Sequence, residues 1–133
     1  MQQTASIEEL KKVIGLEGLP EEHLRWISEH SELRELSDGA ELARTGDPSE
    51  FMWIILEGKI AFYMNVNGTL VYYFTFENDK STGGISGLIP HSRMKSSPGS
   101  AFCVGYARLL QLHKKYFAEL EQLNPESIQR LIG

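Results

Sequence analysis

The sequence predicts a mainly β fold with flanking helices, an antiparallel β-barrel or jelly roll, and three observations carry that expectation. Short runs of β-branched and aromatic residues alternate with glycine-bearing turns through the middle of the chain. Asn67-Gly68, between two such runs, is a strong hairpin signal, because both turn positions favour positive φ. Helical spacing of apolar residues is confined to the two ends.

At the N-terminus, Ser6 followed by Glu9 makes a capping-box pair, and Ile7, Leu10, Val13 and Ile14 keep helical spacing until Gly15. A second helix is expected from Pro20, with Glu21 and Glu22 favourable in its first turn and Leu24, Trp26 and Ile27 on its buried side. Strands are then expected at Leu33–Leu36, Ala40–Ala43, Phe51–Leu56, Lys59–Val66 and Leu70–Phe76, divided by "SDG", "TGDPSE", "EG" and "VNG". Two more follow near Ser100–Gly105 and Arg108–Leu112. From Lys114 the period returns to helix, with Tyr116, Phe117, Leu120 and Leu123 on one side and Asn124-Pro125 as a break. The last piece, "PESIQRLIG", leaves Ile128, Leu131 and Ile132 without further chain to cover them, and is read as the start of a connection to an effector domain C-terminal to this chain. The expected organisation is a single domain over 1–133, with N-terminal helices 6–30, barrel 33–112 and C-terminal helices 113–132.

Composition narrows the function. A chain of 133 residues with 41% hydrophobic and 23% charged residues suits one soluble globular domain able to fold without disulfide or metal. A net charge of −5 and the lack of a basic stripe argue against nucleic acid. No apolar run approaches the ~20 residues of a membrane span, and the polar, acidic start is unlike a signal peptide. The only cysteine, Cys103 in "AFCVG", reads as a buried reduced thiol of a cytoplasmic protein. His23, His30 and His113 are read on helices without metal-ligand spacing, and His91 as a loop residue. Neither a His/Glu metal cluster on the strands nor a nucleophile–base pair is present, so the domain is expected to be non-catalytic. Trp53 is read as structural. Phe62, Tyr63, Tyr72, Tyr73, Phe74 and Phe76 are read as packing, with one or two facing a pocket.

The segment "DGAELARTGDPSEFMWIILEGKIAFY", with Gly39, Gly46-Asp47, Ile55, Gly58 and Ile60 at their intervals, resembles the cyclic-nucleotide-binding domains, the sensory modules of the catabolite activator family and of cyclic-nucleotide-gated kinases and channels. The resemblance runs from Leu19 to Leu123 and implies a phosphate-binding cassette after the hairpin. In that cassette a glycine turn enters a short helix whose amides, with an arginine just beyond, hold the cyclic phosphate. "STGGISGLIPHSRMKSSPGS" (81–100) occupies that place. Aligned on the turn glycine, Gly84, Ile85, Ser86, Gly87 and Leu88 form the turn and short helix, with Arg93 as the counter-charge and Lys95 as an alternative cation. Ser92, Ser96 and Ser97 are candidate hydroxyl donors, and a solvated loop arginine is the competing reading of Arg93.

Ile85 stands where the family has the glutamate that takes the ribose hydroxyl. Losing a charge-assisted hydrogen bond of about 1.5–3 kcal/mol lowers affinity by roughly one to two orders of magnitude. The implied ligand is cyclic AMP, cyclic GMP or a related phosphorylated small molecule. "SGLIPHSRM" is similar to domains fused to bacterial sensor histidine kinases, which implies such an effector and a homodimer. The rival reading is a ligand-free interaction or dimerisation module of a larger signalling protein.

Overall fold

The structure, a computed structural model, describes residues 6–90 and 92–123. The expected helix around Ile128–Ile132 and His91 lie outside the described residues. α1 (Ile7–Lys11) carries the expected capping box: the Ser6 hydroxyl accepts from the Glu9 amide at 3.2 Å, and the Ser6 amide donates to the Glu9 carboxylate at 3.2 Å. The helix stops at Lys11 rather than continuing to Ile14, and a 3-10 turn follows at Ile14–Leu16. The reason lies across the molecule. The Asn78 side chain accepts from the Ile14 amide (2.9 Å) and donates to the Lys12 carbonyl (2.9 Å), using backbone groups that a longer helix would claim. α2 (Glu21–His30) follows Pro20 as expected.

The sheet consists of β1 (Glu32–Ser37), β2 (Glu41–Ala43), β3 (Phe51–Val66), β4 (Thr69–Glu77), β5 (Ile85–Gly87) and β6 (Gly99–His113). All pairings are antiparallel; the path runs β1-β6-β3-β4, β2 pairs with β6, and β5 pairs with β3. This strand path does not close on itself. A 3-10 turn (Lys114–Tyr116) leads into α3 (Phe117–Leu123). His113, expected on a helix, is the last residue of β6. Asn67 (φ 51°) and Gly68 (φ 85°) make the expected tight turn between β3 and β4.

The four strands expected at 51–56, 59–66, 100–105 and 108–112 are two long ones, β3 and β6, each continuous through a bulge. Their register slips on both sides of Glu57–Gly58: Leu56 is passed over on β3, and because Lys59 faces Val104 while Gly58 faces Ala107, Gly105 and Tyr106 are passed over on β6, where Tyr106 still pairs with Ser37 of β1. Gly58 (φ 91°) sits so close to the opposite strand that a Cβ would lie 2.0 Å from the Tyr106 carbonyl oxygen and 2.7 Å from the Ala107 Cα. Only glycine allows that approach.

Two cores result. Leu10, Val13, Leu16, Leu24, Ile27 and Leu120 from the helices pack on Met52, Ile54, Leu110 and Leu112. Within the bent sheet, Leu36, Ile55, Ile60, Ala101, Cys103, Ala107 and Leu109 form the other. Arg108 joins the layers, with its guanidinium on the Glu9 carboxylate and 3.8 Å from Glu35.

Gly58→Ala is expected to cost about 2–5 kcal/mol, the sum of left-handed strain and overpacking. Gly39→Ala, at φ 82° with nothing near its Cβ, is expected to cost only about 1–2 kcal/mol. Equal losses in urea unfolding would remove the steric argument. Cys103 is 2% exposed and its thiol faces the Leu36 carbonyl at 3.5 Å. Burial, and then the negative charge of Asp38, raises its pKa. The unfolded chain therefore loses the thiol proton first, so stability should fall as pH rises above about 8.5. Cys103→Ala should flatten that fall; an unchanged pH profile would refute it.

Candidate functional site

The cassette segment begins in the turn after β4. Gly83 donates its amide to the Asp79 carbonyl (2.7 Å), Thr82 donates its amide to the Asp79 carboxylate (3.0 Å), and the Thr82 hydroxyl bonds the Glu77 carbonyl. The turn is seated on the N-terminal segment, where the Gly15 amide donates to the Gly83 carbonyl at 2.7 Å. A Cβ on Gly15 would come within 2.7 Å of both Gly83 O and the Ile85 side chain.

The short helix expected at Ser86–Leu88 is not formed; Ile85–Gly87 is strand β5. The cause is the open edge of β3. β4 pairs only with Lys59–Val66, leaving Met52–Ile54 to pair with β5. The Ile55 amide donates to Gly84 O (2.7 Å) and the Leu88 amide to Phe51 O (2.9 Å), so the Leu88 N–H of the expected short helix is committed to the sheet. Ile85 packs against the helix-side core and over Gly15, while Ser86 on the opposite face lines a cavity. Gly87 (φ 78°) lies against the Trp53 ring, where a Cβ would approach to 2.4 Å.

That cavity, about 370 Å³, falls in the usual size range of small-molecule sites. Phe51 and Trp53 line it from the first half of β3, Ile60 and Phe62 from the second half, and Phe74 and Phe76 from β4. The residue passed over on β3 between Ile55 and Glu57, Leu56, is what brings odd-numbered and even-numbered residues of one strand to the same face. Leu42 and Ala43, the loop Asp47–Glu50, and Met94, Ser97, Pro98 and Ala101 complete the wall. The rim is tied by backbone bonds: Ser49 N–H to Lys95 O (3.0 Å), Ser97 N–H to Asp47 O (2.8 Å) and Gly46 N–H to Ser97 O (2.9 Å).

Of the nine residues singled out from sequence, Ser86, Gly87, Leu88 and Ser97 line the cavity. Gly84 and Ile85 stand behind it. Ser92, Arg93 and Ser96 are exposed and outside its lining, and so is the alternative cation Lys95. Arg93 has no hydrogen-bond or ion-pair partner among the described residues. Among the described residues, the ionisable ones in the lining are Asp47 and Glu50. Sequence reasoning missed Glu50, Met94 and the inward position of Trp53, whose indole N–H also bonds Gln111 at 3.0 Å. Alternation of Phe74 and Phe76 marked one face of β4, but nothing local in the chain says which face looks inward.

α3 is held to α2 by a polar and aromatic seam. Trp26 donates its indole N–H to Glu119 at 2.8 Å and stacks on His30 at 4.2 Å between centroids. His30 Nδ1 lies 2.8 Å from the Trp26 carbonyl and Nε2 lies 3.5 Å from Glu119, with Tyr116 edge-on at 5.2 Å. No group of three or more His, Cys, Asp or Glu side chains is placed to hold a metal, and no helix is long and apolar enough to cross a membrane, among the described residues.

No family model and no curated protein matches the sequence. Solved structures do. The regulatory domain of Toxoplasma gondii PKA, in co-crystal with cAMP, is 18% identical with a TM-score of 0.76 over 95% of this chain and 46% of that one. A cyclic nucleotide-binding domain from Methylobacillus flagellatus is 12% identical with a TM-score of 0.77, covering 99% of this chain and 76% of that one. The sensor domain of the transcriptional regulator DNR from Pseudomonas aeruginosa is 17% identical with a TM-score of 0.74, covering 94% and 82%. The chain thus spans less than half of the Toxoplasma kinase chain it matches, and it has the fold of the cyclic-nucleotide-binding domains.

Asn78→Ala removes two hydrogen bonds to the segment Lys12–Ile14, and is expected to cost about 1–3 kcal/mol. Amide exchange should quicken at Ile14 and Gly15 before it does at Leu109–Leu112. Uniform quickening across both would contradict a local clasp.

Proposed function

We propose that this chain is a cytoplasmic, non-catalytic ligand-sensing regulatory domain, a single module over residues 1–133, that binds a small molecule in the sheet cavity. It passes its state through the C-terminal helical segment to an effector domain such as a histidine kinase. The cavity carries this reading: a ligand-sized space walled by aromatic residues and closed on one side by the cassette segment. The fold supports it too, since one structural neighbour was crystallised with cAMP. The residues proposed to meet the ligand are Ser86, Gly87, Leu88 and Ser97, together with Trp53 and Phe74. Ser92, Arg93 and Ser96 would meet it only if their loop moved inward. Cyclic AMP or cyclic GMP is the ligand expected from the resemblance; the support for its phosphate is Arg93, and Arg93 stands outside the cavity.

Regulation needs the ligand to favour one arrangement of α3 over another. The Trp26–His30–Glu119–Tyr116 seam is the element such a preference would act on. A second reading, the interaction module, is favoured by one observation. The β3–β4 hairpin exposes Val66, Leu70, Val71, Tyr72 and Tyr73, the last at 65% of its full surface.

Thermal-shift measurements with cyclic AMP, cyclic GMP, adenosine and guanosine should find at least one that stabilises the chain. That ligand should change amide exchange at Phe117–Leu123 by about fivefold or more. No stabilisation by any of the four, with a concentration-dependent dimer that Tyr73→Glu abolishes, would replace the sensor with the interaction module.

A further inference from the structure

We propose that the cavity selects an uncharged or cationic aromatic ligand and rejects anions, so that this site reads a ring and a hydrogen-bond donor rather than a phosphate. The inference rests on the ligand-sensing reading and specifies its ligand class.

The charge of the wall decides it. Asp47 and Glu50 line the cavity, and among the described residues no Lys, Arg or His does. The nearby cations are committed elsewhere or stand outside: Arg44 Nε binds Glu41 at 3.0 Å, and Arg93 and Lys95 are exposed. An anion entering here would meet two carboxylates, Glu50 half-buried and Asp47 exposed at the rim, with no compensating charge in the wall among the described residues, and like-charge juxtaposition is unfavourable. Two amides of the wall are already spent, since Leu88 N–H bonds Phe51 O and Ser97 N–H bonds Asp47 O.

The same wall suits a ring. Phe51, Trp53, Phe62, Phe74 and Phe76 give it aromatic faces from two strands. Their π-faces attract cations and stack on neutral heterocycles. The two carboxylates differ in availability. Asp47 accepts the Arg44 amide at 3.2 Å within its own turn. Glu50 is half-buried, and although its backbone carbonyl accepts from the Lys114 amide at 2.7 Å, its carboxylate has no hydrogen-bond or ion-pair partner among the described residues. Its carboxylate is therefore the acceptor for a ligand N–H or ammonium group, and a charge-assisted bond there would fix the ring's orientation. Ser86, 5% exposed on the facing strand, supplies a hydroxyl.

The test uses one ring in three charge states, and two purine pairs. Calorimetric titration of the chain with tryptamine, indole and indole-3-acetate should give tightest binding for tryptamine and at least about tenfold weaker binding for the acetate. Guanosine and adenosine should likewise bind at least about tenfold more tightly than cyclic GMP and cyclic AMP. Glu50→Gln should remove most of the tryptamine preference over indole while changing indole affinity by less than about twofold. That split separates a charge effect from a folding defect. Phe74→Ala should weaken all the neutral and cationic probes. Arg93→Ala should leave every affinity within about twofold.

If an anionic member binds as tightly as its neutral partner, or if Arg93→Ala weakens it tenfold, this inference falls while the sensor reading stands. If the folded chain binds no probe in either series, both fall together.

Discussion

The close approach of Gly58 to the Tyr106–Ala107 backbone is the constraint on which the rest of the architecture depends. Two strands of 16 and 15 residues bend together there. A single large sheet can then face the helices with one half and enclose a cavity with the other. The bend also shifts the parity of β3, so that Phe51 and Trp53 share a space with Ile60 and Phe62. A straight β3 would turn the second pair outward. The bend at Gly58 and the residue passed over at Leu56 together set which side chains face the cavity.

A second consequence concerns the cassette. Because the bend ends β4 pairing at Lys59, the edge of Met52–Ile54 is left for β5. The segment answers that demand and becomes strand instead of the helix the resemblance implied. Ile85, in place of a carboxylate, suits this arrangement, because a strand's alternate residues face opposite ways and Ile85 falls on the helix-side core. The departure from the family pattern and the change of secondary structure are two expressions of one packing choice. The clasp of Asn78 and Gly83 on the segment from Lys12 to Gly15 completes it, tying the turn to the same helices that Ile85 covers.

Features decided within a few residues were legible in the sequence. Ser6 with Glu9, Pro20 at the start of α2, and Asn67-Gly68 are self-contained devices, and each stands where the pattern put it. Features decided by a distant partner were not. Glu57-Gly58 reads locally as a turn between strands, and only the opposing Tyr106 makes it a bulge. Ser86–Leu88 reads as a helix start, and only the vacant edge of β3 makes it a strand. Of the cavity wall, Ser86, Gly87, Leu88 and Ser97 were singled out through their place in the chain. Glu50 and Trp53 were not, because neither residue type announces that its strand or loop faces a cavity.

The seam between α2 and α3 and the floor of the cavity each contain one of the chain's two tryptophans, Trp26 and Trp53. The molecule therefore carries two native fluorophores, one in the cavity wall and one between the helices. Single Trp→Phe variants would let emission from each be followed separately. Arrival of a ring beside Trp53 and release of the His30 stack on Trp26 could then be timed against each other without attaching any label.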